Sequence, residues 1–185
     1  MLRKHAWIIV VLSAAVLTGG LDPTTRDALK VQHILKTIER KPPTIGDAEL
    51  SAEVTEKELN AYIAYRLARK KKPIVSDLTV TLLDNNQIRG KISFDAERLN
   101  LGSLLGEKLA FDFTGVVQSR NRTARLNLVA LSLGGYAVKP QVLDFVLSSA
   151  GMLYNTEVGG VEDWYALPKG IKRIMVKRAR ATLYY

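Results

Sequence analysis

Four runs of alternating apolar and polar residues between Leu78 and Leu133 constrain this chain more than any other feature. Leu78, Val80 and Leu82 alternate with Thr79, Thr81 and Leu83, and Ile88, Ile92 and Phe94 oppose Arg89, Lys91, Ser93 and Asp95. Leu109, Phe111 and Phe113 alternate with Ala110, Asp112 and Thr114, and Leu126 and Leu128 oppose Arg125 and Asn127. Successive side chains of a strand point to opposite faces, so each run predicts a strand with one buried side. Asp84-Asn85-Asn86-Gln87 and Arg120-Asn121-Arg122 supply turns, because asparagine tolerates the positive φ of tight hairpins. Together the runs predict an antiparallel meander with one apolar face.

Helical patterns flank the meander. Thr55 with Glu58 three residues on is a capping box, and Leu59, Tyr62, Ile63 and Leu67 follow as one apolar stripe. Arg69, Lys70, Lys71 and Lys72 sit where cations suit a helix C-terminus, and Pro73 stops the helix. Gly134-Gly135 breaks the sheet. Pro140 then opens a second helix, nearly all apolar and running up to about Tyr154, which is expected to be covered on most sides. Residues 24–40 also have helical spacing (Leu29, His33 or Ile34, Ile38) and end before Pro42-Pro43. They are expected to form a loosely attached spacer. A final hairpin is predicted from Ile171, Ile174 and Val176 to Ala181, Leu183 and Tyr184, tipped by Lys177, Arg178, Ala179 and Arg180. The fold class is α+β, an antiparallel curved sheet wrapped around a long amphipathic helix, with a second apolar helix.

The N-terminus carries an address. Arg3, Lys4 and His5 precede an uncharged run from Ala6 to Leu17, followed by Thr18-Gly19-Gly20, the layout of a secretory signal. Twelve residues of helix span about 18 Å, well short of a hydrocarbon core of about 30 Å. Residues 1–20 therefore read as a signal peptide, or as an uncleaved N-terminal anchor. Residues 21–49 read as helical spacer and linker, and 50–185 as a single α+β domain. Either way the body is placed outside, in the periplasm or on the extracellular side of the cytoplasmic membrane. The chain has no cysteine, which rules out a lipoprotein linkage, disulfides and thiol chemistry.

Little in the sequence points to catalysis. His5 lies in the signal and His33 in the spacer, so a histidine base in the domain is close to excluded. No phosphate-binding loop, nucleophile elbow or zinc-binding pair occurs. The carboxylates Asp77, Asp84, Asp95, Asp112, Asp144, Glu157, Glu162 and Asp163 are scattered and read as surface or turn residues, and no metal or other cofactor is expected. Net charge is +9, from 27 Lys and Arg against 18 Asp and Glu; losing Arg3 and Lys4 leaves +7. The basic groups suit an anionic membrane or solvated loop ends. Nucleic acid is not expected as a partner.

What remains is hydrophobic. Either the apolar faces form an ordinary core, or a curved sheet around a helix leaves a groove for an acyl chain. Three segments bear on the choice: EVTEKELNAYIA (53–64), LSLGGYAVKPQVLDFVL (131–147) and YALPKGIKRIMV (165–176). With the meander, they resemble a group of uncharacterised bacterial envelope proteins. That group is similar in outline to single halves of the tubular lipid-binding superfamily, the one containing bactericidal/permeability-increasing protein. The resemblance covers about 50–185 and implies a sheet rolled around a long helix with lipid held between them. The chain departs from it at Lys177-Arg178-Ala179-Arg180, where a glycine is expected, so a looser or more basic tip is anticipated.

The expected function is that of an exported, non-enzymatic envelope protein binding a lipid or other apolar ligand. Leu59, Tyr62, Ile63, Leu82, Phe94, Phe113 and Leu128 are the expected groove contacts. Arg69, Lys70, Lys71, Lys72, Lys177, Arg178 and Arg180 are the expected membrane or headgroup contacts. The alternatives are an adaptor domain of an envelope complex with a fully packed core and, last, a carboxylate-based hydrolase.

Overall fold

The structure, a computed structural model, describes residues 23–40, 49–70, 73–99, 108–153 and 158–185. In chain order the elements are α1 (Pro23–Arg40), β1 (Ser51–Thr55), α2 (Glu56–Ala68), β2 (Val75–Leu82), β3 (Gln87–Asp95), β4 (Lys108–Arg120) and β5 (Thr123–Leu133). They continue with β6 (Tyr136–Ala137), α3 (Pro140–Leu153), β7 (Tyr165–Ala166), β8 (Arg173–Lys177) and β9 (Arg180–Tyr184). The fold is α+β, built on a strongly curled antiparallel half-barrel sheet and, among the described residues, three helices. The expected signal segment, Pro42-Pro43, Lys71 and Lys72 lie outside the described residues.

The alternating runs pair as β2-β3-β4-β5-β6, with β7 on the far end of β5. The inner face is read off the register. One row runs Leu78–Ile92–Phe111–Leu133, the next Val80–Gly90–Phe113–Leu131, and a third Leu82–Ile88–Gly115–Leu128. Between them, on the outer face, lie rows such as Thr79–Lys91–Asp112–Ser132. The register shifts within β2 and between Thr114 and Gly115 leave Ser76 and Val129 without partners. Bulges of this kind bend a strand and increase its twist, which accounts for the curl. The turns also form as predicted: Asn85 and Asn86 both have φ near 59°, and Asn121 and Arg122 have φ of 48° and 61°.

Gly90 is needed for space rather than for its φ. A Cβ there would lie 2.4 Å from Cζ of Phe113 and 2.8 Å from the Thr79 carbonyl oxygen. The Phe113 ring fills the gap in its own row. Gly90→Ala is expected to cost about 1–2 kcal/mol through overpacking, measured as a lower urea midpoint with an unchanged slope.

The helix on the inner face is α3. Its Leu143, Val146, Leu147 and Ala150 share a core with Phe94, Phe111, Phe113, Leu126 and Leu131. The 13-residue α2, about 20 Å long, lies instead along the β2 edge. There Asn60 and Glu56 occupy the outward backbone groups of Val80 and Leu82. The capping box of α2 is complete: the Glu58 carboxylate accepts from Thr55 N (2.8 Å), and Thr55 Oγ1 accepts from Glu58 N (3.3 Å).

A second core joins α1, α2 and the small sheet β1-β9-β8. The expectation of a loosely attached spacer therefore differs from what α1 does. Ala28, Val31 and Ile38 are buried against Ala61, Tyr62, Val54, Ile171 and Leu183, while His33 is exposed. The apolar stripe of α1 begins one residue before the spacing read from Leu29, and it faces α2. Lys57 pairs with Asp27 at 2.9 Å, and Lys30 pairs with the buried Glu58. Burial pushes the Glu58 carboxyl up, but the bonds from Lys30 and Thr55 outweigh it and hold the group below the usual range.

Side chains join the two sheets. Ser119 Oγ donates to the Ile174 carbonyl (2.9 Å) and accepts from Ile174 N (3.0 Å). Asn86 Oδ1 accepts from Val176 N at 2.7 Å, and Asn86 N donates to the Val176 carbonyl at 3.1 Å. The outer edge of β8 is thereby tied to β4 and to the β2–β3 turn.

Candidate functional site

One side of α3 faces the sheet; the other carries an apolar stripe that the described residues leave open. On a helix, Val142, Phe145 and Met152 fall on one face, with Leu153 at its margin. Phe145 is 61% exposed, Met152 77% and Leu153 51%. Among the described residues, the expected cover thus exists on the sheet side only. Asp144 is the helix's single charged residue, and its Oδ1 accepts from Val161 N at 2.6 Å. Tyr136, on β6, adds an exposed ring.

The segment 158–165 braces this layer. Tyr165 OH donates to the Gly160 carbonyl at 2.5 Å, and Asp163 Oδ2 accepts from Gly160 N at 2.9 Å. Burial first, then the Asp163 and Asp144 charges, push the Tyr165 hydroxyl up to about 12. Glu162 accepts from Leu128 N at 2.9 Å, so the segment is fastened to both α3 and the sheet.

The expected groove contacts divide among three cores. Phe94 and Phe113 lie in the α3–sheet core, with Leu128 packed against it. Tyr62 belongs to the α1–α2 core, and Ile63 is buried nearby on α2. Leu82 sits in a small cluster with Val176 and Ala181, and Leu59 touches both that cluster and the α1–α2 core. The structure therefore gathers Phe94, Phe113 and Leu128 in one core and assigns Leu59, Tyr62 and Leu82 to the other clusters, although Leu82 shares an inner row with Leu128. Phe145, Met152 and Leu153 were missed, although the Val142–Phe145–Met152 spacing carried the signal.

The expected basic contacts are largely engaged. Arg69 bonds the Tyr65 hydroxyl and stacks over its ring at 4.9 Å. Lys70 is half-buried, and burial, with the nearby Arg66, lowers its amine below the usual lysine range. Arg178 Nε lies 3.2 Å from Asp84 Oδ2, and Arg180 lies 3.6 Å from Glu53; Lys177 is exposed. The anticipated loose tip is instead pinned: Ala179 N donates to the Leu82 carbonyl and Glu56 N to the Ala179 carbonyl. Ala179 takes the positive φ of 61° that a glycine would have supplied.

Among the described residues, no group of three or more His, Asp or Glu is placed to hold a metal ion. No described helix is long and apolar enough to cross a membrane. No protein-family model matches the chain, and comparisons with curated proteins and with solved structures find no match either.

Proposed function

We propose that the chain is an exported, non-enzymatic envelope protein that binds a lipid or another apolar ligand along the open face of α3, the helix packed on the curled sheet, in the manner of a half-module of the tubular lipid-binding kind. The observation that supports this is the double-sided apolarity of α3. A helix that only completed a core would present polar residues outward, yet Phe145, Met152 and Leu153 face away from the sheet. An acyl chain laid along this stripe would bury them on the side of α3 opposite the Phe94–Phe113 layer, with no reacting group required. The ligand site thus moves from α2 to α3. Leu59 and Tyr62 become support for the fold.

Native mass spectrometry of the purified protein tests the proposal. Bound phospholipid or fatty acid is expected, and Phe145→Ser with Met152→Gln should strip it while leaving the thermal midpoint nearly unchanged. A clean apo mass with no uptake of added fatty acid would sink the reading.

The adaptor reading keeps one observation in its favour. Phe94, Phe111 and Leu82 are all but completely buried, which suits a fully packed core whose open stripe meets a protein partner. In that case an envelope protein co-purifies after delipidation and is lost in the same double variant.

A further inference from the structure

The β4–β5 hairpin tip gathers arginines around a single ring. Arg125 lies opposite Gln118, Arg120 lies opposite Thr123, and all four belong to the outer face. The pairing of β7 with Thr123 and Ala124 brings Trp164, the residue just before β7, alongside Arg125. The result is one indole ring with the Arg120 guanidinium carbon 4.3 Å and the Arg125 guanidinium carbon 4.9 Å from its centroid. Arg125 Nε donates to Gln118 Oε1 at 2.7 Å, which orients its fork. Arg122 at the turn is held by backbone bonds from its N to the Lys172 carbonyl and from Leu167 N to its own carbonyl.

Among the described residues these cations lack counter-charges: no carboxylate pairs with Arg120, Arg122 or Arg125. The acids nearest in sequence to Trp164 are engaged elsewhere: Asp163 with Gly160 N and Glu162 with Leu128 N. The other hairpin tip differs, since Arg178 and Arg180 have Asp84 and Glu53. A solvated surface tolerates single unpaired arginines. Two like charges against one ring, with a third beside them, call for an anion. Guanidinium forks match phosphate oxygens two at a time, and an indole ring settles at the headgroup level of a bilayer.

We infer that Arg120, Arg122, Arg125 and Trp164 form a docking site for the phosphate groups of an anionic phospholipid surface. The inference rests on the lipid reading above only for choosing a bilayer as the source of phosphate. It places the contact on the outer face of the sheet, away from α3, so that docking and ligand binding use different residues.

Trp7 and Trp164 are the only tryptophans, so the full chain carrying Trp7→Phe reports on this site alone through fluorescence. Titration with phosphatidylglycerol-containing vesicles should shift the Trp164 emission to the blue, and salt should weaken binding. Each cation near such a surface is worth about fivefold in affinity. Arg120→Gln with Arg125→Gln should therefore weaken phosphatidylglycerol binding about 25-fold, while binding to pure phosphatidylcholine vesicles stays the same. Arg178→Gln with Arg180→Gln should change it much less. Should the first double variant fold poorly, Arg120→Lys with Arg125→Lys retains charge but not the fork and should give a smaller loss. Equal affinity of wild type and the glutamine variant for phosphatidylglycerol overturns the proposal. So does saturation of Trp164 by inorganic phosphate with no preference for vesicles, or a preference for single-stranded oligonucleotide. The two readings fail separately: lipid retained in native mass spectra with arginine-independent vesicle binding removes only the docking site. Arginine-dependent docking without bound lipid removes only the ligand site.

Discussion

Phe111→Ala is expected to lower the free energy of unfolding by about 3–5 kcal/mol, the largest effect of any single truncation considered for this chain. Phe111 is fully buried, and its ring meets that of Phe94 edge-on, with centroids 6.0 Å apart and planes at 86°. It sits mid-row between Ile92 and Leu133, under α3. Truncation therefore removes transfer energy and the aromatic pair together, and leaves a void that strands fixed by ladder bonds on both sides fill poorly. Domains of this size are stable by about 5–15 kcal/mol, so equilibrium urea unfolding should show a large fall in midpoint. Phe145→Ala, on the open side of α3, should stay within about 0.5 kcal/mol of wild type. A loss below about 1 kcal/mol at Phe111 would mean that the α3–sheet layer is not closely packed.

Asn60→Ala ranks next. Its amide makes a two-point contact with the edge of β2: Nδ2 donates to the Val80 carbonyl at 2.7 Å, and Oδ1 accepts from Val80 N at 2.8 Å. Glu56 accepts from Leu82 N at 2.7 Å two residues along. These side chains stand in for the strand that β2 lacks. Removing Asn60 leaves a donor and an acceptor without partners, at a cost of about 2–3 kcal/mol. It also opens a strand edge to another molecule. A lower denaturation midpoint should come with concentration-dependent association by light scattering. Unchanged stability and a monodisperse sample would show that water replaces the amide without penalty.

The meander was legible because its information is local. Inner rows, outer rows and both asparagine turns follow from period-two alternation and from residues tolerant of positive φ. The capping box was legible for the same reason, since Thr55 and Glu58 are three residues apart. What stayed hidden depends on partners far away in sequence. Nothing in SAEVT names β9 as the partner of β1, although Ser51 lies against Tyr184. The stripe of α1 reads correctly only once α2 is known to face it, because Ala28 and Val31 are too small or too common to stand out alone. The exchange of α2 for α3 as the helix on the sheet has a similar origin. Both helices carry apolar residues, and it is the Asn60 and Glu56 bonds to β2 that hold α2 at the edge. For the candidate site, the apolar character of α3 was legible, but its division into a packed side and an open side was not.

The pairing of β1 with β9 also orders events in time. The β2–β3 and β4–β5 hairpins of the large sheet need only short turns to close, so they can form before the rest of the chain is in place. β1 has no such neighbour: its partner arrives only when residues 180–184 have left the ribosome. Until then α1 and α2 lack the floor that Leu183 and Ile171 provide. The nascent protein therefore has one half able to set early and one half that waits for its last strand.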